Sequence, residues 1–105
     1  LKGLTNLESL VLLVTKITDE GLAHLKGLTK LTFLGLHSTK ITDAGLVGLT
    51  ELRVLHLKST KVTDAGLVHL KGLTELKELK LYGTKVTDAG VKQLQQALPN
   101  CRINR

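Results

Sequence analysis

Residues 31–46, LTFLGLHSTKITDAGL, return three more times along the chain with only certain positions changed. The other copies are 7–22 (LESLVLLVTKITDEGL), 52–67 (LRVLHLKSTKVTDAGL) and 76–91 (LKELKLYGTKVTDAGV), which share the frame L-x-x-L-x-L-x-x-T-K-[IV]-T-D-x-G-[LV]. A unit this short cannot close a core alone and buries its apolar face only against the next copy, so a tandem array is the first constraint on the fold. The residues divide accordingly. Positions identical in every copy serve the scaffold, and specific function belongs to the positions that vary.

Within a unit, Phe33-Leu34-Gly35-Leu36-His37 alternates with period 2 and predicts a short strand, with Leu34 and Leu36 inward and Phe33, Gly35 and His37 on the opposite face. Thr39 follows, its hydroxyl expected to bond backbone groups of adjacent turns, and Ile41 returns to the core. Thr42 and Asp43 suit a helix start, where an acidic side chain is favourable, and Leu46 and Leu49 follow at helical spacing. A strand, a reversal and a returning helix put parallel strands on one side and helices on the other. The expectation is an α/β right-handed solenoid with strands on the concave face and short helices on the convex face. Its repeats are 7–30, 31–51, 52–75 and 76–97, followed by a C-terminal cap strand within 98–105.

The period is uneven. Leu10 to Leu34 and Leu55 to Leu79 are 24 apart, but Leu34 to Leu55 is 21. Comparing GLVGLTEL (45–52) with GLVHLKGLTEL (66–76) places the deletion at the end of the helix, where three residues are close to one turn and the strand register survives. In the last unit Val91 and Leu94 stay on the inner face while Lys92, Gln93, Gln95 and Gln96 turn the outer side polar. Leu98, Cys101 and Ile103 then repeat the spacing of Leu76, Leu79 and Leu81, which predicts a fifth strand over 100–104 with Cys101 in the leucine row. Pro99, Arg102 and Arg105 are the polar and proline devices that protect an open edge.

The L-x-x-L-x-L frame resembles the leucine-rich repeats, and its T-K-[IV]-T-D-[AE]-G-L continuation is similar to bacterial repeats related to the cysteine-containing and GALA types. The likeness covers nearly the whole chain. It departs at Thr15, Thr39, Thr60 and Thr84, which stand where those families often have Asn or Cys. The resemblance implies a module that mediates contacts between proteins, without catalysis. The opening LKGLTNL, which begins without Met and is similar to HLKGLTKL at 24–31, reads as the tail of a preceding repeat, so the chain is expected to be the C-terminal portion of a longer array.

Catalytic and cofactor chemistry finds no support. Asp19, Asp43, Asp64 and Asp88 form a repeated row, but Lys16, Lys40, Lys61 and Lys85 recur three residues before each and can neutralise them along one rim. Repetition of that kind is structural. His24 and His69 fall on equivalent helix positions two repeats apart, about 10 Å at ordinary strand spacing, too far to share an ion. His37 and His56 lie in adjacent strands and adjacent columns within reach of a diagonal contact, but no carboxylate or cysteine column beside them completes a metal site. Cys101 lacks a triad partner by spacing and reads as a small buried hydrophobe, and no phosphate-binding glycine loop is present. No enzyme activity, metal or cofactor is expected.

What varies is the outward strand face: Ser9, Phe33, Val54, Glu78, Asn100; then Val11, Gly35, His56, Lys80, Arg102; then Leu13, His37, Lys58, Tyr82, Asn104. One half is apolar and the other basic and polar, a composition that fits a partner surface. The residues expected to bind are Val11, Leu13, Phe33, Gly35, His37, Val54, His56, Lys58, Glu78, Lys80, Tyr82 and Arg102, with another protein as partner. With a formal charge of +6 and pI near 9.7, the alternative is an acidic polymer, nucleic acid or polysaccharide, held by Lys58, Lys80, Arg102 and Arg105. Single-stranded nucleic acid is disfavoured by the 2% aromatic content. A structural spacer is the third reading. The sequence has no membrane-spanning run, no secretory signature and a single cysteine, which leaves the compartment open. The apolar strand 9–14, with Leu4 and Leu7 before it, further suggests a homodimer through an uncapped N-terminal edge.

Overall fold

The computed structural model describes residues 9–11, 17–25 and 32–105, with 9–11 and Leu25 described by backbone alone. Leu4, Leu7, Leu13, Thr15 and Lys16 lie outside the described residues. Five strands, β1 (Ser9–Val11), β2 (Phe33–Gly35), β3 (Val54–His56), β4 (Glu78–Lys80) and β5 (Arg102–Asn104), form one parallel sheet in chain order. Parallel neighbours require crossovers. These are α1 (Asp19–Leu25), a 3-10 turn (Asp43–Leu46), α2 (Asp64–Leu67) with a 3-10 extension (Val68–Leu70), and α3 (Asp88–Ala97).

The repeated apolar positions stack into rows, as the alternation predicts. Leu34, Leu55 and Leu79 pair across the sheet and are fully buried. Leu36, Leu57 and Leu81 form the next row, Ile41, Val62 and Val86 the one after, and Leu22, Leu46, Leu67 and Leu94 close the core from the helical side. The chain leaves β2, β3 and β4 through a left-handed conformation, at Ser38 (φ 57°), Ser59 (φ 57°) and Gly83 (φ 75°). The hydrogen bonds Ser38 N–H to Lys58 O (2.8 Å) and Ser59 N–H to Tyr82 O (2.7 Å) carry the parallel pairing to that point.

The inter-repeat ladder is built by a different threonine from the one the sequence suggested. Thr39, Thr60 and Thr84 donate their hydroxyls to carbonyls of their own turn, Leu36, Leu57 and Leu81 at 3.0, 2.8 and 2.7 Å. The link between repeats runs through the Thr-Asp pair instead. Asp19 accepts from the N–H (2.8 Å) and hydroxyl of Thr42, Asp43 from those of Thr63 (N–H 2.7 Å), and Asp64 from those of Thr87 (N–H 2.7 Å). Those bonds hold Asp64 below the usual carboxylate range. The repeated glycine has its reason here too. A β-carbon on Gly45, Gly66 or Gly90 would fall on the carboxylate of Asp19, Asp43 or Asp64. The expected lysine partners are absent: no Lys–Asp ion pair forms among the described residues.

The shortened second repeat keeps its register, Leu34 opposite Leu55, because the loss falls on the helical side. The difference from expectation is Leu49, which is not helical. The 3-10 turn ends at Leu46, Gly48 (φ 84°) and Glu51 (φ 65°) turn the chain back, and Leu49 packs against the core from the loop between them.

At the far edge the register corrects the sequence reading by two residues. Glu78 pairs with Arg102, Leu79 with Ile103 and Lys80 with Asn104, so Ile103 rather than Cys101 continues the leucine row. A slip of two preserves which side chains face the core, and Cys101 is still buried, at the turn before the strand. The cause is helix α3 and its exit. Gln95, expected among the outer polar residues, donates its side-chain amide to Leu98 O (2.9 Å) and Cys101 O (2.8 Å), holding 98–101 as a turn. Arg105 then stands in for a further repeat. In preceding units a Lys N–H bonds the carbonyl before it in the stack, as Lys85 to Val62 O (3.1 Å), and a Thr N–H bonds the Asp. Arg105 supplies both donors from one guanidinium, Nε to Val86 O (3.0 Å) and Nη1 to Asp88 (2.6 Å).

Candidate functional site

Side chains on the outward face of the sheet carry no core duty, and the register places them in three rows. Phe33, Val54, Glu78 and Arg102 form the first, Gly35, His56, Lys80 and Asn104 the second. His37, Lys58 and Tyr82 form the third, fixed by the backbone bonds that follow the strands. Arg102 therefore sits beside Glu78 rather than Lys80, and Asn100 leaves the rows. Val11 pairs with Gly35 through the backbone; its side chain and Leu13 lie outside the described residues.

Gly35 organises the centre. It lies between Phe33 and His37 on its own strand and opposite His56 on the next, whose ring contacts both of theirs. Phe33 and His56 meet edge to face with centroids 5.0 Å apart, and His37 stacks on His56 at 5.2 Å with 21° between planes. The diagonal histidine contact expected from the sequence is formed. Beyond it the Lys58 ammonium lies 5.5 Å from the Tyr82 ring centroid, within cation–π range. Tyr82 is exposed, whereas Phe33, Val54, His56 and Lys58 are half-buried.

The electrostatics are uneven. His56 Nε2 and Glu78 Oε2 are 3.1 Å apart, and this bond holds Glu78 below the usual carboxylate range. His37 is treated differently. Its Nε2 is buried without a hydrogen-bond partner among the described residues, and burial first, then the charges of His56, Lys58 and Lys80, pushes its pKa below the ordinary histidine value. The face thus offers three cations, Lys58, Lys80 and Arg102, around one carboxylate that is already engaged.

The helical side is less organised. His24 and His69 are exposed at equivalent positions, as their spacing implied. Burial pushes the Cys101 thiol up, away from thiolate chemistry. Among the described residues no three His, Cys, Asp or Glu side chains gather as a metal site, and no helix is long and apolar enough to cross a membrane. The sequence reading missed the Glu78–His56 bond. Its signal was present in the rows: His56 and Glu78 stand one strand and one column apart, the same diagonal that brings His37 to His56.

Residues 48–71 match a family model described as Leucine Rich repeat. That segment is similar to a leucine-rich repeat. It spans β3, α2 and the 3-10 extension, and the frame around it recurs in register elsewhere in the chain. A search of curated proteins gave no match. Leucine-rich-repeat domains generally mediate protein–protein contacts and are typically non-catalytic.

Proposed function

We propose that this chain is a non-catalytic recognition module, a stretch of right-handed solenoid made of repeats 7–30, 31–51, 52–75 and 76–97 with a cap at 98–105, which binds another protein through its concave sheet face. One observation carries the reading. The positions that differ between repeats converge on a single face as rings and cations, while the repeated ones are consumed by the leucine rows and the Asp–Thr ladder. An acidic polymer fits less well, because Glu78 stands next to both Lys80 on its own strand and Arg102 on the next, where it would repel phosphates held by those cations. A spacer would have no use for an exposed Tyr82 with a lysine held over it.

Aromatic anchors carry a large share of interface energy. Phe33→Ala and Tyr82→Ala are expected to weaken a partner retained on the immobilised chain by about tenfold or more, and the helix-side changes His24→Ala and Lys71→Ala to leave it unchanged. Surface plasmon resonance on the four variants measures this. Equal losses on both sides would remove the assignment.

A further inference from the structure

We propose that the segment received on this face is acidic, and that its carboxylates are bound between His37, Lys58 and Lys80 while its apolar side chains rest on Phe33 and Val54. The inference rests on the recognition reading above and adds the chemistry of the partner. Charge complementarity carries it: Lys58, Lys80 and Arg102 face outward, and the only carboxylate in the three rows beyond β1, Glu78, already serves His56. His37 supplies the second observation. A neutral imidazole has one donor and one acceptor nitrogen, and its buried Nε2 lacks a partner among the described residues. A carboxylate held by Lys58, in the same row, adjoins the His37 ring and favours its protonated form. Cations on one side of the face and the apolar Phe33 and Val54 on the other match a peptide with both acidic and apolar residues better than a uniform polyanion. The groove at the start of the strands, lined by Val54, Lys77, Glu78, Asn100 and Arg102, extends the same composition.

The proposal has a pH signature. The groups that titrate or carry charge around His37 are His56, Lys58, Lys80 and, through His56, Glu78; β1 (Ser9–Val11) contributes none. His37 is held below its ordinary value when free, and an adjoining carboxylate raises it, so binding takes up a proton. Affinity therefore rises as pH falls from the bound midpoint to the free one, and is level below that.

The probe is hexaglutamate, whose carboxylates stay ionised near pH 6, followed by NMR of the histidine ring protons. The expected result is a raised His37 midpoint, with His24 and His69 unmoved, and affinity about threefold or more higher near pH 6 than near pH 7.5. His37→Asn should abolish most of the pH dependence, and Lys58→Gln with Lys80→Gln should lower affinity about tenfold. The proposal is overturned if about 10 mM hexaglutamate leaves His37 unmoved, if His24 and His69 respond equally, or if an oligothymidylate of equal charge displaces the peptide at lower concentration. A partner that is lost on Phe33→Ala and Tyr82→Ala but indifferent to the lysine pair would sink the acidic assignment and leave the recognition reading standing. A partner indifferent to both sets of changes would sink the recognition reading itself.

Discussion

Leu55→Ala is expected to lower the free energy of unfolding by roughly 2 to 5 kcal/mol in urea melts. Leu55 is fully buried, with Leu34 on one side and Leu79 on the other in the same row, both also fully buried. Neighbours held in hydrogen-bonded strands on both sides cannot close onto the space that a truncated side chain leaves. With 2% aromatics the core is filled mainly by leucine, so no large ring stands by to swing into the gap. A loss below about 1 kcal/mol would mean that the row is not packed as described.

The second large effect is expected at Gly66. An added methyl would fall on the carboxylate of Asp43 and lie 3.2 Å from its Cα. Asp43 must then withdraw from the N–H and hydroxyl of Thr63, the bonds that tie the second unit to the third. Overpacking costs about 1 to 3 kcal/mol and hydrogen bonds to charged groups add to it, so Gly66→Ala should destabilise by roughly 2 to 4 kcal/mol. The mechanism is separable from a simple helix effect, since alanine is ordinarily the better helix former. In an Asp43→Ala background the same change should cost much less, because the colliding group is gone. Additive losses in that double-mutant cycle would rule out the collision.

The strands and the buried rows were legible in the sequence, because a period of 2 fixes which side chains face inward and the repeat length fixes which strands pair. The five-strand order and the Leu34–Leu55–Leu79 row follow from those two facts. Hydrogen bonds between units were less legible. Thr39 and Thr42 are equally repeated, and only the backbone geometry shows that the first serves its own turn and the second reaches Asp19 of the preceding unit. The register of β5 was missed because Cys101 and Ile103 have the same parity, so inward facing alone cannot choose between them. Gln95 decides it, by holding 98–101 as a turn. On the outward face the rows were visible up to β4, but the His56–Glu78 bond and the unpartnered His37 nitrogen depend on side-chain directions that spacing does not specify.

The division of labour between repeated and variable positions is tested most directly by urea unfolding of Lys58→Ala, Lys80→Ala, Tyr82→Ala and Arg102→Ala beside Leu55→Ala. Side chains free of folding duty change stability little on removal, so each of the four is predicted to stay within about 1 kcal/mol of the parent. Any of the four that costs as much as Leu55→Ala, roughly 2 kcal/mol or more, would contradict it, since that residue would be part of what holds the fold and not a surface left open for a partner.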